Sequence, residues 1–309
     1  MSKEYLIFAR KLFVFLLVIV LVDISLGKIL EHFYLKIEVP TPEQHTTYSI
    51  NQADSDILVF GSSRAQHHYD PEPFKALVDH SFYNTGKDGQ GIFYSWAVLK
   101  SVLNRNDKPR ILILDININE FNKDQDSYDR LSELLPYYKG NEEIQDIVNL
   151  KSPFEEIKAF SYLYRYNSKV LTIIKDNLFP RQDPMEKGFE PIQASEKNLE
   201  LRDFYVQEEL DSLEINAFRG FLEDAKKYNQ KVFVFVSPTY RRYYKGTPES
   251  IKIAQEICSK LEVPFFSFHQ DSLFLKNPNY FSDPSHLNEV GAEIYSDKIF
   301  EEIKRTRTL

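Results

Sequence analysis

From about residue 56 the chain alternates short, nearly unbroken apolar runs with stretches in which apolar residues recur every three or four positions. The runs are 56–60 ("DILVF"), 81–84 ("SFYN"), 110–116 ("RILILDI"), 231–236 ("KVFVFV") and 264–268 ("PFFSF"). Continuous apolar character, rather than strict alternation, is what strands buried on both faces of a parallel sheet require. Helical spacing falls between the runs, over 92–103, 213–228, 248–261 and about 288–305. In the second of these, Ile215, Phe218, Leu222 and Ala225 share one face. This order predicts an α/β fold with about five parallel strands. One interval breaks the rhythm. Between about 121 and 211 nothing reads as a strand, and helical stretches such as 154–178 dominate. The interval predicts a helical insertion within the domain, lying over the strand ends where loops carry specificity.

The N-terminus follows a different pattern. Leu12 to Val22 are eleven apolar residues without a break, and helical spacing continues through Ile29, Leu30, Phe33 and Tyr34. Lys3, Arg10 and Lys11 precede the run, and the positive-inside bias then places the remainder outside the cytoplasm. The expected organisation is a membrane anchor over 1–35, a polar linker over 36–55 and one α/β domain over 56–309. A cleaved signal peptide ending near Gly27 is the alternative, and both export the domain. Asp23 within such an anchor is costly unless it is paired or near the headgroups.

Composition narrows the function classes. The 309 residues carry a net charge of −8 with no basic block, which argues against a nucleic-acid partner. The single cysteine excludes an internal disulfide, and Cys258 falls at helical spacing with Ile251, Ala254 and Leu261, as a core residue would. His67 and His68 are adjacent, point about 100° apart on a helix, and have no acidic ligand cluster at metal spacing. They read as packing or surface residues, and no metal or cofactor is expected.

In an open parallel sheet, ligands bind beyond the carboxyl ends of the strands. The segments that follow the strands are "GSSRAQHHYDP", "NTGKDGQG", "NINEF" and, beyond the last strand, "FSDPSHLN". Asp283 and His286 stand three apart, so one helical turn would bring the carboxylate onto the imidazole. Such a histidine is a general base that needs a proton to take, and Ser63 is the candidate donor. The turn is not the G-x-S-x-G elbow, because its fifth position is Ala65. Arg64 suits either an anionic acceptor or an ion pair that fixes the turn. "YRRYY" at 240–244 reads as an ordinary loop or as a stacking surface for sugar.

These four segments together resemble the SGNH (GDSL-like) hydrolase superfamily. The corresponding blocks here are "FGSSR" with Ser63, "YNTGKDG" with Gly89, "PRILILDININE" with Asn119, and "DPSH" with Asp283 and His286. The resemblance implies a three-layer α/β/α sandwich (SGNH/flavodoxin-like). It also implies a serine mechanism in which Ser63 attacks an ester, His286 takes the proton and Asp283 stabilises the imidazolium. Oxyanion donors would be the N–H groups of Ser63 and Gly89 and the Asn119 amide. Two positions depart from the family pattern: Ser62 replaces the usual aspartate, and the third block reads N-I-N-E. The latter makes Asn117 a competitor of Asn119, which is favoured because an acidic residue follows it and it lies further beyond the strand. One N-terminal segment before a G-S-S-type domain looks like the D-alanyl-transfer and alginate O-acetylation proteins. That layout implies acyl transfer to an envelope glycan, with a membrane-bound O-acyltransferase as partner. An esterase with the same triad and a catalytically silent adaptor are the alternatives.

Overall fold

The computed structural model describes residues 3–38, 40–76, 81–105, 108–180, 185–194, 199–205, 209–228, 231–243 and 246–306. Among the described residues seven strands form in chain order: β1 (Ile57–Phe60), β2 (Phe82–Asn84), β3 (Ile111–Asp115), β4 (Arg202–Phe204), β5 (Lys231–Val236), β6 (Arg241–Tyr243) and β7 (Phe265–Ser267). Five of them make a wholly parallel sheet in the order β2-β1-β3-β5-β7. Its register sets Val59 beside Ile113, Ile113 beside Phe233 and Phe235 beside Phe266. Every residue of β1 and β3 is buried, which is why their sequences show no alternation. The winding reverses between β1 and β3, since β2 lies on one side of β1 and all later strands on the other. That reversal leaves a crevice at the carboxyl ends of β1 and β3.

Helices cover the strands through apolar stripes. Helix Glu289–Arg305 buries Ala292, Tyr295, Ile299 and Ile303 against the core that Ile57, Val59, Ile113 and Phe235 also line. Helix Ser212–Lys227 buries Ala217, Phe218, Phe221, Leu222 and Ala225, and with them Glu214. The expected face is therefore rotated by about one residue, with Ile215 half-buried and a carboxylate inside. Cys258 is fully buried, as its spacing indicated.

Three expectations need correction. The 121–211 interval contains β4, which pairs in parallel with β6 inside the supposed 240–244 loop. Strands of three residues, β4 with every side chain exposed, leave no periodicity to read. Residues 36–55 are not simply a linker, because Pro42–Asn51 is helical and Thr46, Ser49, Ile50 and Ala53 are buried. Partners for the His45 ring and for the Ile50 and Ala53 carbonyls make that burial tolerable. His45 Nε2 donates to the Gly86 carbonyl at 2.8 Å, His45 Nδ1 meets the Tyr83 hydroxyl at 3.0 Å, and Arg105 donates to the carbonyls of Ile50 and Ala53. Finally, the insertion does not group as one piece. The chain divides into two compact units, Met1–Gln44 with Leu131–Arg181, and His45–Arg130 with Gln182–Leu309. Only the middle of the interval groups with the N-terminal helix.

That helix runs over Lys3–Leu35, with a mean hydropathy of 2.6 in its most apolar stretch, a length and composition that fit a membrane span or a signal sequence. Two of its residues explain why 131–181 joins it. Asp23 accepts hydrogen bonds from Ser161 Oγ at 2.5 Å, Tyr162 N at 2.8 Å and Leu163 N at 3.2 Å. Gly27 lets the chain pass so close that a Cβ there would stand 2.4 Å from Tyr162 Cβ. Asp23→Ala should strand two backbone donors at a cost of about 1–3 kcal/mol. Hydrogen exchange at residues 161–169 is then expected to quicken about 10- to 100-fold, with β1 and β3 unchanged. Unchanged exchange at 161–169 would show that Asp23 does not hold that segment.

Candidate functional site

The site begins with the turn after β1. Gly61 has φ +145°, and a Cβ there would lie 2.5 Å from the Asp115 carbonyl and 2.9 Å from Ala65 Cβ. Only glycine lets the chain leave β1 so tightly against the end of β3. Ser62 follows in extended conformation, and Ser63 opens the short helix Ser63–His68. Ser62 does not cap this helix. Its hydroxyl donates instead to Asn117 Oδ1 at 3.0 Å, which ties the turn to the segment beyond β3.

Asp283 and His286 come from a different construction than expected. Residues 281–287 are not helical but a closed loop, with an antiparallel bridge between Phe281 and Leu287. Ser282 N donates to the His286 carbonyl at 2.9 Å. Asp283 Oδ1 accepts from the N–H groups of Ser285 and His286 at 2.6 and 3.0 Å, an aspartate-closed turn rather than a helical one. Its other oxygen is thereby aimed at the ring. His286 Nδ1 lies 2.8 Å from Asp283 Oδ2, and His286 Nε2 lies 2.8 Å from Ser63 Oγ. A carboxylate only accepts, so Nδ1 carries the proton and Nε2 is left with its lone pair towards the serine hydroxyl. Burial alone would raise the Asp283 pKa. The His286 hydrogen bond and the Ser285 N–H outweigh it and hold the carboxyl below the usual range.

Two neighbouring histidines keep this arrangement in place. His68 Nε2 accepts from Leu287 N at 2.9 Å, so a residue of the Ser63–His68 helix receives the backbone directly after His286. Burial and the charges nearby, His286 foremost, push the His68 pKa well below its ordinary value, as that acceptor role requires. His67 is the opposite case. Burial would lower its pKa, but the Asp88 carboxylate at 2.9 Å and the Glu190 carbonyl at 2.6 Å raise it, because both ring nitrogens face acceptors. Both histidines are packing residues, neither at the surface. The loop after β5 supports the far side. Tyr240 N donates to the Pro284 carbonyl at 3.0 Å, and Arg241 donates to Ser285 Oγ at 2.9 Å while lying over Phe204.

The two asparagines separate in role. Asn117, not Asn119, meets the residues on either side of Ser63. Its Oδ1 accepts from Ser62 Oγ and from Arg64 Nε and Nη2 at 3.1 and 2.6 Å. Arg64 only donates and Glu120 only accepts, so the Asn117 oxygen must face Arg64 and its NH2 group Glu120. Arg64 is buried, pairs with no carboxylate among the described residues, and keeps Nη1 without a partner there. Beneath it, the buried Asp115 accepts from Tyr69 at 2.7 Å and from Ser237, and burial raises its pKa to about 6 against the opposing pull of Arg64. Sequence reading missed Asp115, although an acidic residue ending an apolar strand was the available signal. Asn119 and Gly89 are exposed and line a polar recess of about 120 Å3 with Asn117, Glu120, Arg130 and Glu214. Gly89 has φ +72°, and its carbonyl accepts from Arg130 at 3.0 Å. Neither Asn119 nor Gly89 bonds to Ser63 or His286 among the described residues. Nor do the described residues contain a group of three or more His, Cys, Asp or Glu side chains placed to hold a metal ion.

Glu214 is the outlier of the recess. Burial, reinforced by the Glu120 carboxylate, raises its pKa to about 9 from an ordinary 4.5. Across that window the folded chain keeps a proton that the unfolded chain releases, so stability falls as pH rises. Glutamine has no such proton. Glu214→Gln should therefore melt a few degrees above the parent at pH 8, on the order of 1–2 kcal/mol, with the gap closing towards pH 4. Thermal melts at the two pH values check this, and a gap that does not change with pH would be inconsistent with a protonated Glu214.

No protein-family model and no curated protein matches this chain.

Proposed function

We propose that this protein is a membrane-anchored SGNH-like serine enzyme that transfers an acyl group to a cell-envelope polysaccharide through an acyl-Ser63 intermediate. The observation that carries the proposal is the hydrogen-bonded chain Ser63–His286–Asp283, at 2.8 Å for each link, beyond the carboxyl end of β1. Ser63 Oγ attacks the ester carbonyl of a donor as its proton passes to His286 Nε2. The tetrahedral intermediate collapses, and the departing alcohol takes that proton. A hydroxyl of the acceptor glycan then gives its proton to Nε2 and attacks the acyl-serine, which restores Ser63. Asp283 holds the ring and balances the imidazolium in both halves. The N–H of Ser63, the N–H of Gly89 and the exposed Asn119 amide are the oxyanion donors in this reading, and Asn117 positions the turn. Finer fold assignment follows the same reading: a three-layer α/β/α sandwich.

Lys3, Arg10 and Lys11 orient the Lys3–Leu35 helix with the domain outside the cytoplasm. Its retention as an anchor is supported by the continuous helix and by the Asp23 contacts, which a cleaved signal would forfeit. A tether raises the effective concentration of an enzyme fed with acyl groups at the bilayer, here by a membrane-bound O-acyltransferase. One observation favours a second reading, ester hydrolysis: His286 and Asp283 are 24% and 49% exposed, so water reaches the site. The test is the ester content of envelope polysaccharide in a Ser63→Ala strain. Loss of esters supports transfer, whereas accumulation would show a deacylase.

A further inference from the structure

The unit formed by residues 1–44 and 131–181 exposes more apolar surface than its long helix accounts for. Around helix Glu155–Ala159, Phe154, Ile157 and Phe160 all face outward, Phe160 being 78% exposed. Helix Val170–Leu178 has two apolar sides. Ile173 is buried, while Leu171, Ile174 and Leu178 form an outward stripe that Phe179 extends, and Leu171 is 81% exposed. Clustered large apolar side chains left this exposed mark a surface built to contact protein or membrane rather than water.

Their position along the long helix says what covers them. Phe160 adjoins Ser161, which bonds Asp23, and Leu178 adjoins Asn177, whose Nδ2 donates to the Phe33 carbonyl at 3.1 Å. Both exposed ridges therefore meet the helix over the interval Asp23–Phe33. A span of about 20 residues counted from Leu12, just past Arg10 and Lys11, ends near Glu31. The interval is thus the outer end of the span, at the depth of the outer leaflet and its headgroups. Asp23 fits the same placement, since Ser161 and two backbone N–H groups satisfy a carboxylate that lipid would not. The exposed Lys175 lies within the Leu171–Leu178 stripe, where a long stem reaches up to phosphate.

We propose that residues 154–160 and 170–179 are interfacial elements that sink their apolar ridges into the outer leaflet beside the span, with lipid acyl chains as the occupant. This rests on the Lys3–Leu35 helix being a span. The test uses the full-length chain in phosphatidylcholine nanodiscs, with nitroxide labels on Phe160→Cys, Leu171→Cys and Phe179→Cys. Leu16→Cys reports the span, Lys252→Cys reports water, and the buried Cys258 stays unlabelled. Labels at 160, 171 and 179 are expected to show an oxygen-to-nickel-chelate accessibility ratio severalfold above that at 252, approaching that at 16. Nickel accessibility at 160, 171 and 179 equal to that at 252, with 16 still in lipid, overturns the proposal and leaves the span intact. Protection of those labels from both reagents would mean contact with a second protein copy, and also overturns it. A label at 16 that is open to nickel removes the span, and the proposal with it.

Discussion

Ser63→Ala is expected to abolish labelling by a fluorophosphonate probe and to lower turnover of an activated ester by about four to six orders of magnitude. The size of the effect follows from how few alternatives the site offers. Ser63 Oγ is the hydroxyl 2.8 Å from His286 Nε2, and the neighbouring Ser62 hydroxyl is committed to Asn117. No large loss of stability should accompany the change, because the Ser63 side chain caps nothing and is only half-buried. Circular dichroism melts within about 2 °C of the parent would separate chemistry from folding. Full labelling of the alanine variant would place the nucleophile elsewhere. If the wild type itself resists the probe, the site is a binding surface and the adaptor reading takes over.

The second large effect distinguishes Asn117 from Asn119. Asn117→Ala removes the one acceptor shared by Arg64 Nε, Arg64 Nη2 and Ser62 Oγ, leaving a buried guanidinium unpaired. Hydrogen bonds to charged groups are worth about 1.5–3 kcal/mol each, so a melting point lower by roughly 5–10 °C is expected. Esterase turnover should fall with it by about a hundredfold, because the Ser63 turn loses its anchor. Asn119→Ala should leave the melting point unchanged, since that side chain is exposed, while the proposed oxyanion role of Asn119 predicts a fall in turnover of about two orders of magnitude. An Asn119→Ala enzyme of full activity would end the assignment of Asn119 to the oxyanion site.

Much of the fold was legible because burial on both faces leaves a mark that needs no partner to be seen. "DILVF", "RILILDI" and "KVFVFV" had to be central strands, and each is, to within a residue at its ends. Helices with one buried stripe were equally visible, down to the core position of Cys258. Short elements were not. β4 and β6 hold three residues each and gain their strand character from one another, as the helix over Pro42–Asn51 gains its burial from the tyrosines, carbonyls and arginine that receive it. For the candidate site, the position of Ser63 after β1, the Asp283–His286 spacing and the four-block resemblance together anticipated that these three side chains would meet, and they do, at 2.8 Å for each link.

What sequence could not decide was which atoms meet. The Asp283–His286 spacing suggested a helical turn, whereas backbone N–H groups of Ser285 and His286 close the loop around the carboxylate instead. Asn117 and Asn119 are two positions apart and chemically identical. The approach of Ser62 and Arg64 from the turn and helix after β1 gives Asn117 its partners, while Asn119 faces the recess. The expected single insertion likewise divided because Asp23 and Gly27 offer 161–163 an acceptor and a gap, which become a match only when chain segments more than a hundred residues apart are brought together. Apolar periodicity records how deeply a residue is buried, and so reads out locally. The pairing of polar groups depends on distance and direction between remote segments, and only the folded chain supplies those.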